Sequence, residues 1–265
     1  LQRQSVLDIG CGRGGDILKI YHARVGEYVG FDVDFEGIYS ATDGAISRFS
    51  YLRKKFPDFG KVTFLQADAS ALLNPSDQEK ALTNISDENK KVISKVFSTN
   101  KKYDVITSQF FIHYLFSNST SIKNLITNIK NSLKKDGYIL LTLFDGDIIH
   151  SKFNEKGRYT SVYTNEDGQR VKLFEIIKKY EGDLQHKTGQ AVDVHMSWIS
   201  NEDTYLEEYL VSKQLLVNTM KMAGCRLVDT DLFQNIFKLN KPYFQEVIKF
   251  EVNQKNKQFY EKVAQ

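Results

Sequence analysis

A glycine-rich turn near the start of the chain is the segment whose residue types most clearly indicate chemistry. Gly10, Gly12 and Gly15 follow a short apolar run with the spacing G-x-G-x-x-G, and Asp8 precedes the first of them by two residues. Glycine reaches positive φ at little steric cost and lets a ligand approach the backbone closely. The turn therefore predicts a nucleotide or nucleoside site. By itself the spacing suits a nicotinamide dinucleotide equally well.

Three aspartates help to choose between these ligands. Asp8 lies at the end of the first expected strand, Asp32 ends the second, and Asp68 follows the third. Parallel strands in an open α/β sheet end at one edge, so the three carboxylates are expected to face one ligand. If that ligand carries a methionine and an adenosine moiety, Asp8 would face its amino group, Asp32 its ribose hydroxyls and Asp68 its adenine amino group. Carboxylates repel a pyrophosphate and attract a sulfonium that carries an ammonium group. Aspartate is also common in strand-end turns for structural reasons. Three aspartates at corresponding positions of three successive strands nevertheless favour S-adenosylmethionine.

An aromatic and histidine cluster follows the fourth expected strand, where Phe110, His113 and Tyr114 lie close together in sequence. Aromatic rings at a strand end are suited to stacking a flat base. The alternative is an ordinary core segment, in which Phe111 and Leu115 pack and the histidine is structural. We interpret the cluster as a candidate purine site.

The elements that must position these residues alternate between strand and helix. This alternation is typical of a doubly wound, mostly parallel sheet with helices on both faces. The expected strands are Ser5–Ile9, Glu27–Phe31, Lys61–Gln66, Tyr103–Ser108 and Tyr138–Phe144. The expected helices are Asp16–Ala23, Glu36–Phe56 and Ser121–Leu133. The run from Tyr138 is continuously apolar or β-branched, which predicts burial on both faces.

The second half of the chain is less regular. Residues 71–101 and 146–190 are expected to be surface insertions, the first partly helical and the second rich in hairpins. The remaining pattern predicts a strand at Val192–Met196, a helix at Glu207–Ala223, a strand at Arg226–Asp229 and a helical segment at Asn253–Gln265. We expect residues 1–265 to form a single domain, and the opening residues suggest that it was excised from a longer polypeptide.

The composition argues against several classes of protein. The chain is 41% hydrophobic and 26% charged, as globular proteins are, and its formal charge of +3 permits a local phosphate-binding patch. No apolar run approaches the roughly 20 residues that span a bilayer, so no membrane association is expected. The two cysteines are far apart, and the histidines lack ligand spacing with them. Neither a disulfide framework nor a metal site is expected.

The chain resembles the eukaryotic and viral mRNA cap (guanine-N7) methyltransferases over Val6 to about Val228. The resemblance rests on Leu7–Asp16, Ser108–Tyr114, Glu208–Val211 and Thr142–Asp147. The last of these segments looks closest to the capping enzymes of large cytoplasmic DNA viruses, such as African swine fever virus and poxviruses. The resemblance implies a Rossmann-like class I S-adenosylmethionine-dependent methyltransferase fold with a seven-stranded sheet.

The resemblance also implies roles for individual residues. The methyl-donor site would be lined by Asp8, Gly10, Gly12, Asp16, Asp32, Asp68 and Gln109. The guanine would be surrounded by Phe110, His113, Tyr114 and Glu208. The cap phosphates would be contacted by Arg13 and Arg48. Two features of the family are not recognisable here: a basic segment before the first strand, and a final strand that carries an aromatic wall of the cap pocket.

The implied reaction transfers a methyl group from S-adenosylmethionine to N7 of a GpppN cap and yields S-adenosylhomocysteine. Guanine N7 carries a free lone pair, so no acid or base residue is expected. The implied partners are capped RNA and covalently linked triphosphatase and guanylyltransferase domains. The implied location is the viral factory in the host cytoplasm, with packaging in the virion. The alternatives are a methyltransferase for another RNA or small molecule, a non-catalytic stimulatory capping subunit and a nicotinamide-dependent oxidoreductase.

Overall fold

The computed structural model describes residues 3–98, 100–164, 168–199, 201 and 204–250. The chain divides into two compact units, the first ending at Cys225 and the second beginning at Arg226. All of the site residues predicted above belong to the first unit.

A parallel sheet forms the centre of the first unit. Its strands are β1 (Ser5–Ile9), β2 (Glu27–Asp32), β3 (Lys61–Gln66), β4 (Tyr103–Gln109) and β5 (Leu133–Thr142). Their order is β3-β2-β1-β4-β5, and every neighbouring pair is parallel. The first four expected strands are confirmed to within a residue. Asp8 lies in the central strand, opposite Gly30 on one side and Thr107 on the other.

Helices cover both faces of this sheet and form two apolar cores with it, one around Leu7 and one around Val6. They are α1 (Ile17–His22), α2 (Phe35–Tyr39), α3 (Ala45–Lys55), α4 (Pro75–Ala81), α5 (Asp87–Phe97) and α6 (Ser119–Ser132). The single helix expected over Glu36–Phe56 is two helices. The Ser40 hydroxyl donates to the Asp43 carboxylate across the break. Short polar side chains of this kind compete with the helical hydrogen bonds of the backbone and so favour an interruption of the helix.

The predicted number of seven strands is wrong: among the described residues the central sheet has five. The other strands, β6 (Arg158–Thr164), β7 (Arg170–Lys178), β8 (Ala191–Met196) and β9 (Leu206–Tyr209), form a separate antiparallel sheet in that order. The strand expected at Arg226–Asp229 is irregular and exposed, without a neighbouring strand to pair with. The doubly wound α/β fold is confirmed with this smaller sheet.

Strand β5 is not buried on both faces as predicted. It lies at the edge of the described sheet, and Tyr138 and Leu140 are 61% and 56% exposed on it. A buried central strand and an apolar edge strand can contain the same residue types. The sequence pattern therefore did not reveal that β5 lies at the edge of the sheet.

The helix predicted over Glu207–Ala223 begins too early. Its first residues form β9, and the helix itself is α8 (Lys213–Met222). The helix begins there because the Ser212 hydroxyl accepts from the Leu215 amide and so caps it. Glu208 is therefore a strand residue, and β9 lies close to the segment that follows β4.

The two expected insertions differ in their packing. Residues 71–101 contain α4 and α5, whose Ile93 and Gln78 are fully buried, so this segment is not confined to the surface. Residues 146–190 contain α7 (Gly146–Ser151) and the hairpin of β6 and β7, as the turn signals indicated. The second unit contains α9 (Phe233–Phe250), and the expected helix at Asn253–Gln265 lies outside the described residues. None of the described helices combines the length and apolar character needed to cross a membrane.

Candidate active site

The glycine turn after β1 is held against β2. Gly10 and Gly12 have φ of +77° and +50°, in the left-handed region that glycine tolerates best. The Gly12 amide donates to Asp32 Oδ2 at 2.9 Å, and the Asp34 amide donates to Asp32 Oδ1 at the same distance. Asp32 thus fixes the turn while its carboxylate lies at the carboxyl ends of the strands.

The turn also touches the segment that carries the aromatic cluster. A Cβ atom at Gly10 would lie 2.0 Å from the ring of Phe111, so a side chain at this position is excluded by contact as well as by φ. Phe111 leads directly into a 3₁₀ helix over Ile112–Ser117. The predicted donor site and the predicted purine site therefore adjoin.

Asp8 is a buried carboxylate whose hydrogen bonding is incomplete. Its Oδ2 accepts from the Tyr28 hydroxyl at 2.6 Å, whereas its Oδ1 has no partner among the described residues. Burial raises the pKa of Asp8 to about 7 against the lowering effect of Tyr28, and the charges of Asp16 and Asp32 raise it further. A buried carboxylate oxygen without a donor fits a cationic ligand group. The ammonium and sulfonium of S-adenosylmethionine satisfy that requirement.

The other acids of the predicted donor site lie at the same edge of the sheet. Asp16 directly precedes α1 and pairs with Lys19. Asp68 follows β3, which pairs in register with β2 so that Gln66 lies opposite Asp32. The Asp68 carboxylate accepts from the Ser70 amide at 2.7 Å. The structure thus places Asp8, Asp32 and Asp68 in or just after three neighbouring strands, as the sequence pattern indicated, and Asp8 and Asp32 lie near enough to interact electrostatically.

Gln109 is engaged within the sheet. Its Nε2 donates to Thr107 Oγ1 at 2.6 Å, and its Oε1 accepts from Thr142 Oγ1 at 2.9 Å. These bonds tie the ends of β4 and β5 together. The predicted contact of Gln109 with the methyl donor stays a prediction.

Phe110 has a backbone conformation that is unusual for its residue type. Its φ is +52°, although it is not a glycine, and its side chain is 48% exposed. Its amide donates to the Thr142 carbonyl at 2.9 Å, and its ring lies 5.9 Å from that of Phe144. Such conformations cost about 1–3 kcal/mol and are concentrated at functional sites. The hydrogen bond to Thr142 maintains this conformation, which places an aromatic ring at the end of β4.

His113 and Glu208 are buried and form a cluster with the half-buried Tyr114. The Tyr114 hydroxyl donates to Glu208 Oε1 at 3.2 Å, and burial, followed by the Glu208 charge, raises the pKa of Tyr114. His113 Nε2 lies 3.1 Å from Glu208 Oε2, but the angle does not make this contact a hydrogen bond. We call Phe110, His113, Tyr114 and Glu208 the purine slot.

The cavity beside the purine slot is small. It is lined by His113, Phe144 and Glu208 among others and has a volume of about 10 Å³. That volume is on the scale of one water molecule, so this cavity does not itself hold a purine.

The two predicted phosphate contacts both interact with one acid, Asp43. Arg13 pairs with Asp43 at 2.6 Å, with both side chains nearly half exposed. The Ser40 hydroxyl, then Arg13 and more weakly Arg48, lower the pKa of Asp43. Arg13 thus pairs with Asp43 beside the glycine turn, Arg48 acts on the same acid more weakly, and the contact of both arginines with phosphate stays a prediction.

Sequence reasoning missed three residues that shape this site. Tyr28 holds Asp8, Phe144 packs against Phe110, and Gln78 binds the backbone of Asp68. Tyr28 offered a signal, because a tyrosine in a buried strand needs a hydrogen-bond partner. Among the described residues, no group of three histidine, cysteine or acidic side chains can hold a metal ion.

Residues 1–262 match the family model of the mRNA (guanine-N(7))-methyltransferase domain. The chain belongs to this family. The resemblance stated from the sequence is thereby confirmed, and the oxidoreductase alternative is excluded. The family assignment also agrees with the Rossmann-like class I fold, in which the parallel strands follow the order β3-β2-β1-β4-β5.

Several relatives carry the same kind of domain. The chain is 43% identical over 242 residues to the "Probable mRNA-capping enzyme" of Acanthamoeba polyphaga mimivirus, covering 91% of this chain and 21% of that protein. It is 26% identical to an African swine fever virus mRNA-capping enzyme, covering 87% and 25%. It is also 26% identical to the mRNA cap guanine-N(7) methyltransferase of Cryptococcus neoformans, covering 90% and 34%. The chain therefore spans about a fifth to a third of the length of these relatives.

Proposed function

We propose that this chain transfers the methyl group of S-adenosylmethionine to N7 of the guanine in a GpppN RNA cap. The observation that carries the proposal is the contact between Gly10 and Phe111, which places an acid-lined glycine turn directly beside the purine slot. A methyl donor on one side and a flat base on the other would then meet within one site.

The donor would be held by charge and hydrogen bonds. Asp8 offers its unpartnered oxygen to the ammonium group of the donor. Asp32, at the end of β2, would accept from the ribose hydroxyls, and Asp68, after β3, would accept from the adenine amino group. Gly10 and Gly12 leave room for the donor to approach the backbone.

The reaction needs positioning more than acid–base chemistry. When bound, S-adenosylmethionine supplies an electrophilic methyl group on a sulfonium. Transfer forms the N7–carbon bond and breaks the carbon–sulfur bond, whose electron pair stays on sulfur while the positive charge moves to the purine. Orientation of the reacting atoms can contribute about 7–11 kcal/mol. Glu208, with its charge in a buried setting, would stabilise the cationic purine through the N1 and N2 edge.

The contacts of Glu208 make opening part of this mechanism. Both oxygens of Glu208 face protein groups, the Tyr114 hydroxyl and the His113 ring. Guanine must displace these contacts to reach the carboxylate, and Phe110 would then stack on the exposed base. We therefore propose that the cap is admitted by separation of β9 from the 3₁₀ helix that follows β4.

Methylation assays with matched RNAs test the proposal. The chain should methylate a short RNA with a GpppA end and leave the same RNA with a triphosphate end unmodified. Glu208→Ala should abolish transfer while retaining donor affinity by calorimetry, and Asp8→Ala should weaken donor binding. Equal methylation of both RNAs would favour another RNA target. Absence of transfer despite donor binding would favour a stimulatory subunit.

We further propose that the domain is covalently linked to triphosphatase and guanylyltransferase domains and acts in the viral factory of the host cytoplasm, with packaging in the virion. The support is the greater length of the two viral capping enzymes. Mass spectrometry of the intact polypeptide from infected cells and purified virions, together with immunofluorescence, tests this. A free 30.5 kDa chain in the nucleus would contradict it.

A further inference from the structure

Three buried amide side chains hold the loop that follows β3. They are Gln78 of α4, Asn89 of α5 and Asn128 of α6, which are 0%, 1% and 5% exposed. Asn89 binds both polar backbone atoms of Gln66, and Asn128 binds the Ala71 carbonyl and the Leu73 amide. The backbone from the end of β3 to the start of α4 is thus fixed by side chains of three helices.

Gln78 makes its contacts at Asp68, the residue that the proposed function assigns to the adenine of the donor. Its Oε1 accepts from the Asp68 amide at 2.7 Å, and its Nε2 donates to the Asp68 carbonyl at 2.8 Å. The second Nε2 proton goes to the Leu72 carbonyl at 3.1 Å. One buried side chain therefore binds both polar backbone atoms of Asp68 and uses both of its N–H donors.

The Asp68 side chain has few restraints of its own. Its carboxylate accepts from the Ser70 amide, two residues further along the same loop. This turn sets the carboxylate relative to the loop. The residue before Asp68 is bonded to the sheet, because the Ala67 amide donates to the Asp32 carbonyl at 2.9 Å. The backbone of Asp68 itself is bonded to Gln78 of α4, so a shift of that side-chain amide moves the carboxylate as well.

We propose that Gln78 is a positioning residue for methyl-donor binding, acting through Asp68. The proposal rests on the proposed function, in which Asp68 accepts from the adenine amino group. A hydrogen bond depends steeply on distance and angle, so a displacement of a few tenths of an ångström at Asp68 weakens it. Gln78 itself is fully buried and makes its contacts with backbone groups rather than with the donor.

Gln78→Asn tests this with little change in chemistry. The shorter amide cannot span both backbone atoms of Asp68 without moving the loop. We expect the affinity for S-adenosylmethionine, measured by calorimetry, to fall about tenfold, the equivalent of one hydrogen bond. The matched control is Gln190→Asn, which shortens another buried amide in the loop before β8 and should leave donor affinity within about twofold. Gln78→Met, which keeps the side-chain length but removes both amide contacts with the Asp68 backbone, serves as a second variant if the first does not fold and should lower donor affinity at least as much.

A double-mutant cycle with Asp68→Ala separates positioning from general loss of stability. If Gln78 acts through Asp68, its effect on donor affinity disappears once the Asp68 carboxylate is gone. Additive losses, or an equal loss in the Gln190 control, would overturn the inference. If Asp68→Ala alone leaves donor affinity unchanged, it is the assignment of Asp68 in the proposed function that fails.

Discussion

The buried carboxylate of Asp8 gives the prediction that follows most directly from the structure: Asp8→Asn should make the free protein more stable while it destroys the donor site. Because the pKa of Asp8 is about 7 in the folded chain and 3.8 ordinarily, the folded state holds its proton more tightly. Its contribution to stability is therefore fully present below pH 4 and is lost as the pH rises through 7. At about 1.4 kcal/mol per pKa unit, the full difference corresponds to about 4 kcal/mol.

Asparagine cannot ionise, so it removes the cost of a buried negative charge, but it adds the smaller cost of an unsatisfied amide. Its carbonyl can still accept from the Tyr28 hydroxyl, whereas its NH₂ group takes the place of Oδ1 and has no acceptor. An unsatisfied buried donor costs about 1–3 kcal/mol. We expect a net gain in the free energy of unfolding of about 1–3 kcal/mol at pH 8 and none at pH 4.5.

Urea unfolding followed by circular dichroism at both pH values measures this gain, and calorimetry measures donor affinity, which should fall more than tenfold. Asp104→Asn is the matched control. The Lys134 ammonium and the Ser5 amide and hydroxyl lower the pKa of Asp104 to about 2, so this variant should lose stability at neutral pH. The reasoning about Asp8 is refuted if Asp8→Asn lowers stability equally at both pH values, or if it binds the donor as the unmodified chain does.

Three further predictions concern the neighbouring residues. Gly10→Ala should abolish donor binding in calorimetry, because the added methyl group meets the Phe111 ring and the φ of +77° disfavours alanine; normal affinity would contradict the described turn. Phe110→Asn should raise the KM for capped RNA about tenfold in steady-state assays. It should shift the thermal midpoint by only a few degrees, because asparagine tolerates a positive φ better than phenylalanine and the relief of about 1 kcal/mol of backbone strain offsets the lost packing. A large loss of stability would show that Phe110 is a packing residue. Arg13→Gln should raise the KM for capped RNA and flatten its dependence on salt, with donor affinity unchanged; an unaltered salt dependence would remove Arg13 from the phosphate site.

Local patterns were sufficient for the first four strands and the glycine turn. Their signals lie within a few residues of one another, as in Asp8, Gly10 and Gly12. Because the strands are parallel, residues at their carboxyl ends meet at one edge of the sheet. The position of β5 at the edge of the sheet is a long-range property. The apolar residues Tyr138 and Leu140 predicted a buried strand because nothing in that segment reports which neighbours it has.

In the purine slot, too, local sequence signals were predictable and long-range contacts were not. Phe110, His113 and Tyr114 were visible as a cluster, but Glu208 entered through the family resemblance, since 94 residues separate it from the Tyr114 hydroxyl that it binds. Its expected helix was also wrong, because the cap at Ser212 decides where α8 begins. The bracing of Asp68 by Gln78 could not be foreseen, as a glutamine in a polar segment normally predicts an exposed side chain.

The central claim is that N7 of the cap guanine is the methyl acceptor, and one substrate analogue tests it most directly. A short RNA capped with 7-deazaguanosine keeps the ring shape and the N1 and N2 edge that Glu208 is proposed to bind, but carries a C–H group in place of N7. Transfer from labelled S-adenosylmethionine to the ordinary GpppA end and none to the 7-deaza end is the predicted result. Equal labelling of the two RNAs would contradict the account, because the methyl group would then have gone to another atom.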